Sequence, residues 1–165
     1  MPDPSPAATL LFLREEELRQ GIDLLYFAAR DFSHTADALL AEQGLERVHH
    51  RILHFVGARP QMPVTELATI LAITKQSLGR ALETLLEQGM IVQKPGTSDR
   101  RQRLLSLTEQ GAAFEKQIND RFRSRLAKAY RDAGGPAVEG FRKVMLELIE
   151  PEDRRRFERQ GAPGR

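Results

Sequence analysis

One segment of the sequence carries side-chain types that are suited to contacting DNA bases. Within residues 74–88, apolar residues recur at helical spacing and predict an amphipathic helix; they are Leu78, Leu82 and Leu85. The N-terminal half of the opposite face is polar and basic, and its first acid is Glu83. A helix that enters the major groove by its N-terminus needs this polarity. An ordinary amphipathic surface helix has the same pattern, so the helix alone leaves both interpretations open.

The polar side chains of this helix predict how DNA contacts would be divided among them. Glutamine matches the N6/N7 edge of adenine, and arginine matches the O6/N7 edge of guanine. We therefore expect Gln76 and Arg80 to contact bases, with Ser77 adapting to either partner. Thr74, the predicted N-cap, and Lys75 are expected to contact phosphates, which position a helix without carrying sequence information.

A basic β-hairpin is predicted directly after this helix. Residues 91–94 and 101–107 have strand patterns, and residues 95–99 have turn chemistry. Its basic residues are Lys94, Arg100, Arg101 and Arg103, accompanied by a single acid, Asp99. An arginine at the tip fits a narrow A·T-rich minor groove, and we expect Asp99 to brace the Arg101 side chain. The alternative is a basic hairpin that is simply solvated. Because the hairpin follows two short helices directly, the DNA-binding interpretation is favoured.

The surrounding elements predict a winged helix-turn-helix domain at residues 44–108. A short helix beginning after Pro63 ends near Ala72, so about one residue separates it from the helix at 74–88. A further helix, marked by apolar residues from Leu45 to Val56, precedes both. Two helices followed by a hairpin suit B-DNA, because the second helix fills the major groove and the hairpin reaches the neighbouring minor groove.

Long helical patterns flank this domain on both sides. Residues 10–43 contain a helix that is apolar on more than one side, which indicates either a partner subunit or an ordinary core position. Residues 109–150 contain a long helix capped by Thr108, a break at Gly134-Gly135-Pro136 and a last helix that stops at Pro151. Residues 1–9 are predicted to be a disordered tail, and residues 151–165 a charged extension and tail. The predicted fold is therefore mainly α with a small β-wing.

Three histidines lie on one predicted helix. They are His49, His50 and His54, and the last two are spaced so that both imidazoles face the same side. Such a pair can share a metal ion, but no nearby cysteine or compact set of carboxylates completes a site. Packing between helices is the preferred interpretation, followed by lining of an effector pocket and then by metal binding. We predict no bound metal.

The composition excludes several classes of function. The chain has 165 residues and no cysteine, so disulfides, cysteine-ligated zinc and thiol catalysis are excluded. The formal net charge is only +2, so nucleic-acid binding must rest on local patches. The sequence has no Gly-rich phosphate loop, no nucleophile elbow and no apolar run long enough for a membrane, and we expect no signal peptide. We expect a cytoplasmic protein without enzymatic activity or cofactor.

The predicted hairpin and helices resemble those of a known family. Residues 99–111 match the MarR-family wing pattern at six positions: Asp99, Arg101, Leu105, Leu107, Thr108 and Gly111. Residues 66–68 and 74–89 are similar to that family's helix-turn-helix. Residues 49–55 and 74–78 further resemble the PetP-like branch. The resemblance covers roughly residues 10–150.

The resemblance implies a fold and a function beyond what the residues themselves indicate. Members are homodimers whose terminal helices interlock, which assigns residues 10–43 and 109–150 to dimerisation. They bind inverted repeats in double-stranded DNA, usually as repressors, and release them when a small anionic or phenolic effector binds. We therefore expect a ligand-responsive repressor of a pseudo-palindromic operator. The alternatives are a metal-responsive regulator that uses the histidines and a winged-helix module that binds protein.

Overall fold

The computed structural model describes residues 11–158 of the chain. The tail predicted at residues 1–9 and the end of the predicted C-terminal extension lie outside the described residues. The helices are Glu15–Ser33 (α1), Asp37–Glu42 (α2), Arg47–Ala58 (α3), Val64–Leu71 (α4), Lys75–Glu87 (α5), Glu109–Ala133 (α6), Gly135–Leu148 (α7) and Pro151–Glu158 (α8), and the strands are Met62–Pro63 (β1), Ile91–Pro95 (β2) and Arg103–Leu107 (β3). Within the described residues, no helix is long and apolar enough to cross a membrane.

The order of these elements confirms the predicted fold class, helical with a small β-wing. The strands form one antiparallel sheet in the order β1-β3-β2. The sequence patterns missed the short helix α2 and the two-residue strand β1. The returning strand β3 begins at Arg103 rather than at the predicted Arg101, because Asp99 and Gln102 form a backbone turn first. Pro63, predicted inside the first turn of α4, is instead its N-cap.

Local capping determines where the helices around the wing begin. The Thr74 side chain accepts a hydrogen bond from the Ser77 backbone N–H at 3.1 Å and so starts α5 as predicted. The Thr108 hydroxyl accepts from the Gly111 N–H at 3.0 Å and donates to the Gly89 carbonyl at 2.6 Å. Thr108 therefore caps α6 and also ties it to the end of α5.

The hydrophobic core lies between α3, α4, α5, the sheet and the first half of α6. Its fully buried large side chains include Ile52, Leu67, Leu78, Leu105 and Ile118. Burying one such side chain contributes about 1.5–3 kcal/mol, so this core fixes α5 and the wing to the same body.

The chain divides into two compact units, one ending at Phe122 and the other beginning at Arg123. The first contains the helix-turn-helix, the sheet and the histidines. The second contains the last part of α6 together with α7 and α8. There the rings of Tyr130 and Phe141 meet edge to face with centroids 6.1 Å apart.

Candidate nucleic-acid interface

The exposed face of α5 carries the residues predicted to contact DNA. Leu78, Leu82 and Leu85 are buried, as their spacing predicts. All five predicted contact residues of this region are exposed; they are Thr74, Lys75, Gln76, Ser77 and Arg80. The Thr74 hydroxyl donates to Ser77 Oγ at 3.0 Å, so the cap holds both side chains at the helix start. The face is therefore available to an external ligand.

The tip of the wing is a tight turn that depends on glycine. The Gly96 N–H donates to the Gln102 carbonyl at 3.0 Å, and the Gln102 N–H donates to the Asp99 carbonyl at 3.1 Å. A Cβ at Gly96 would lie 2.6 Å from the Asp99 carbonyl oxygen, closer than real Cβ contacts. Any larger residue at position 96 must therefore distort the turn that presents the arginines.

Asp99 braces this turn through a backbone contact. Its Oδ1 accepts a hydrogen bond from the backbone N–H of Arg101 at 2.9 Å. The prediction placed the brace on the Arg101 side chain, whereas the hydrogen bond in the structure holds the main chain. The physical reason is the two-residue separation, which favours a carboxylate-to-backbone turn. The arginine side chain stays free of this interaction.

The basic side chains of the wing lie on two different faces. Lys94, Arg100, Arg101 and Arg103 are all exposed. Because side chains alternate along a strand, Arg103 lies on the same face of β3 as the buried Leu105. Lys94 pairs with Leu104 and so lies on the opposite face.

A cleft of about 300 Å³ separates the wing from the starts of α4 and α5. Thr65 of α4, Lys75 of α5, and Arg101 and Arg103 of the wing line it, together with Asp99. The pairing of Pro63 with Leu104 brings the start of α4 beside Arg103. Sequence patterns did not single out Thr65, because the pairing that places it there joins segments about 40 residues apart.

The three histidines of α3 have different surroundings. His49 is buried, and its Nδ1 accepts a hydrogen bond from the Glu46 backbone N–H at 2.9 Å, completing a capping box. His50 stacks on Phe122, with ring centroids 4.8 Å apart and an angle of 12° between the planes. The exposed His54 places Nδ1 3.9 Å from Oε1 of Glu115.

Burial controls the ionisation of this region. Burial, together with the nearby His54 and Arg51, lowers the pKa of His50 to about 4. Burial also lowers the pKa of His49 and raises the pKa of Glu115. In residues 11–158, no group of three or more His, Asp or Glu side chains is placed to hold a metal ion.

The fold and this exposed basic surface define a winged helix-turn-helix protein. A sequence model of the MarR family matches residues 43–102. Over 150 residues the chain is 43% identical to the HTH-type transcriptional regulator PetP of Rhodobacter capsulatus, and the match covers 91% of this chain and 90% of that relative. The chain therefore belongs to the MarR family of transcriptional regulators.

Solved structures agree on the fold. A MarR mutant from E. coli in complex with operator DNA superposes with a TM-score of 0.66 at 18% identity, covering 85% of this chain and 99% of the other. NadR in complex with 4-hydroxyphenylacetate superposes with a TM-score of 0.66 at 22% identity, covering 78% and 94%. At these identities the similarity establishes a shared architecture.

Proposed function

We propose that this protein is a homodimeric repressor that binds a pseudo-palindromic operator and releases it when a small-molecule effector binds. The observation that carries this proposal is the joint exposure of the N-terminal half of α5 and the arginines of the wing. A related fold is known in complex with operator DNA, which supports the same use of the surface here.

The geometry supports a division of roles within the interface. Gln76 and Arg80 are exposed one turn apart on α5, as base contacts in the major groove require. Lys75 lies at the N-terminus of α5, where phosphates approach a recognition helix most closely. We assign Arg100 and Arg101, which are exposed at the wing tip, to the minor groove.

Exposed apolar side chains support assembly into a homodimer. No residue of α1 is buried within the single chain, and Leu18, Ile22 and Leu25 form one exposed apolar stripe. In the second unit, Phe141 and Val144 of α7 are also exposed. Soluble monomers rarely leave such faces uncovered, so a second copy is the occupant we propose.

A small aromatic acid is the class of effector that we propose. The related NadR binds 4-hydroxyphenylacetate, an anion with a phenolic ring. His49, His50 and His54 stay our candidate pocket residues. Of these, His54 is the most accessible, because His49 is buried and His50 is stacked on Phe122.

The test begins with genomic DNA fragments and purified full-length protein. Fragments retained at physiological ionic strength are sequenced, and binding to the enriched sequence is then titrated with salt. One enriched inverted repeat with affinity falling steeply as salt rises supports the proposal, because phosphate neutralisation releases counterions. Retention of no repeat, or binding indifferent to salt, contradicts it and favours a protein partner.

Two variants of α5 distinguish base contacts from phosphate contacts. Arg80→Ala should cost about 1–3 kcal/mol and relax specificity at one base step, as removal of a bidentate base contact does. Lys75→Ala should weaken binding to all operator variants alike and reduce the salt dependence. An Arg80→Ala variant that weakens every operator equally would instead assign Arg80 to phosphate.

A further inference from the structure

We propose that the cleft between α4 and the wing is a seat for one DNA phosphate, held by Thr65, Lys75 and Arg103. This seat deepens the proposed function and rests on it. It adds Thr65 to the interface and assigns Arg103 to the DNA backbone. The phosphate would join the wing and both helices of the helix-turn-helix to one point on the DNA.

The cleft has a strongly positive lining. Lys75, Arg101 and Arg103 line it, and none of these side chains forms an ion pair or hydrogen bond in the part of the chain that the structure describes. Asp99 is the one acidic side chain of the lining, and its Oδ1 already accepts the Arg101 backbone N–H. Three cations therefore face the cleft against one carboxylate that is already engaged.

The start of α4 adds hydrogen-bond donors to the same place. The first N–H groups of an α-helix have no partner within the helix, and no side chain caps them here, because Pro63 occupies the N-cap. Pro63, Val64 and Thr65 all line the cleft, so it opens at this helix start. Backbone N–H groups, a hydroxyl and flanking cations together match the oxygens of a phosphate.

The position of the cleft matches a backbone contact better than a base contact. Thr65 precedes the turn of the helix-turn-helix, and Arg103 belongs to the base of the wing rather than to its tip. Both residues flank Lys75, the predicted phosphate contact at the start of α5. A base edge would have to leave the groove to reach this cleft, whereas a phosphate lies on the outside of the duplex.

Neutral phosphate analogues test this seat directly. The probes are duplexes of the enriched repeat in which a methylphosphonate replaces one phosphate at the same position of each half-site. A set of such duplexes moves this position stepwise along both strands. Affinities are measured for wild type, Thr65→Val and Arg103→Gln. On the unmodified duplex we expect Arg103→Gln to weaken binding roughly tenfold per half-site and Thr65→Val roughly fivefold.

The expected result is coupling at a single position. On one modified duplex, both variants should bind within about twofold of wild type, because the negative charge and one of the two non-bridging oxygens of the phosphate that they contact are already gone. Arg103→Gln should also lower the salt slope by roughly 0.9 for each phosphate that the variant no longer neutralises. Undiminished losses of affinity on every modified duplex would overturn the seat. Changed base preference for Arg103→Gln would also overturn it.

Lys94→Gln is the matched control. It removes one positive charge from the same wing, but from the face opposite to Arg103. Its loss of affinity should be the same on the unmodified duplex and on the duplex that cancels the Arg103→Gln effect. Wild-type protein that enriches no repeat contradicts the proposed function itself. If the protein binds a repeat but no modified duplex reduces the effects of the two variants, only the phosphate seat is overturned.

Discussion

The stacking of His50 on Phe122 predicts a measurable loss of stability in acid. The two rings lie 4.8 Å apart between α3 and α6, and Phe32 of α1 meets Phe122 edge to face at the same centroid distance. Burial lowers the pKa of His50 to about 4. Protonating this imidazole would place a charge inside an aromatic cluster, so the folded protein keeps it neutral.

The size and sign of the effect follow from the two protonation states. In the unfolded chain a histidine has a pKa of about 6.5. The difference between this pKa and the pKa of about 4 in the folded chain corresponds to a free-energy difference of about 3 kcal/mol. The ring is only partly buried, so solvent reduces this to about 1–2 kcal/mol. Between pH 6.5 and 4 the unfolded chain binds a proton that the folded chain does not. The free energy of unfolding therefore falls as the pH falls through this window.

Neighbouring groups contribute to the same pH profile. Burial lowers the pKa of His49, so this group adds to the loss of stability in acid. Burial raises the pKa of Glu115, whose contribution has the opposite sign because the folded state favours its protonated form. Only the difference between wild type and a variant isolates the contribution of His50.

The assay is urea unfolding at pH 7 and pH 5, at a fixed protomer concentration because the stability of the proposed dimer depends on it. His50→Phe keeps an aromatic ring against Phe122 and removes the titration. We expect its loss of unfolding free energy between the two pH values to be smaller than that of wild type by about 1–2 kcal/mol. Glu115→Gln should instead enlarge the loss. An unchanged or larger loss in His50→Phe would refute the reasoning.

Three further substitutions test the capping, packing and assembly of the fold. Thr74→Ala removes the hydrogen bond to the Ser77 N–H and should lower the unfolding free energy by about 1 kcal/mol in urea melts. Gly111→Ala places a Cβ 1.9 Å from the Met90 carbonyl oxygen, so it should lower the melting temperature far more than Ala112→Gly. Tyr26→Glu charges a side chain that is 73% exposed on α1 and should shift the proposed dimer to monomer in sedimentation velocity, while circular dichroism stays unchanged.

Local signals made most of the helical architecture predictable from the sequence. The spacing of Leu78, Leu82 and Leu85 identified the buried face of α5, and Thr74 and Thr108 identified two helix starts. These features depend on residues within a few positions of one another, where periodicity and capping preferences act. The exposed polar face of α5 followed directly, because it is the remainder of the same helical wheel.

Contacts between distant segments were not predictable in this way. Strand β1 has two residues, which is too short for an alternating pattern, and it forms only because Met62 and Pro63 pair with Leu105 and Leu104. A stabilising contact from Asp99 to Arg101 was predicted. That Asp99 accepts a hydrogen bond from the backbone N–H of Arg101, and not from its side chain, depends on the path of the turn. The residue types therefore indicated which residues form these contacts, but the fold determined which atoms they contact.

The basic side chains of the wing lie on different faces for the same reason: contacts between distant segments decide where each one lies. Lys94 and Arg103 are both basic residues of one hairpin, and in the sequence they look equivalent. The buried Leu105 fixes which face of β3 meets the core, so Arg103 shares that face, while Lys94 lies on the other. Pairing with β1 then brings α4, and with it Thr65, to the Arg103 side only. A short, patternless strand therefore decides which charge of the wing can act together with the helix-turn-helix.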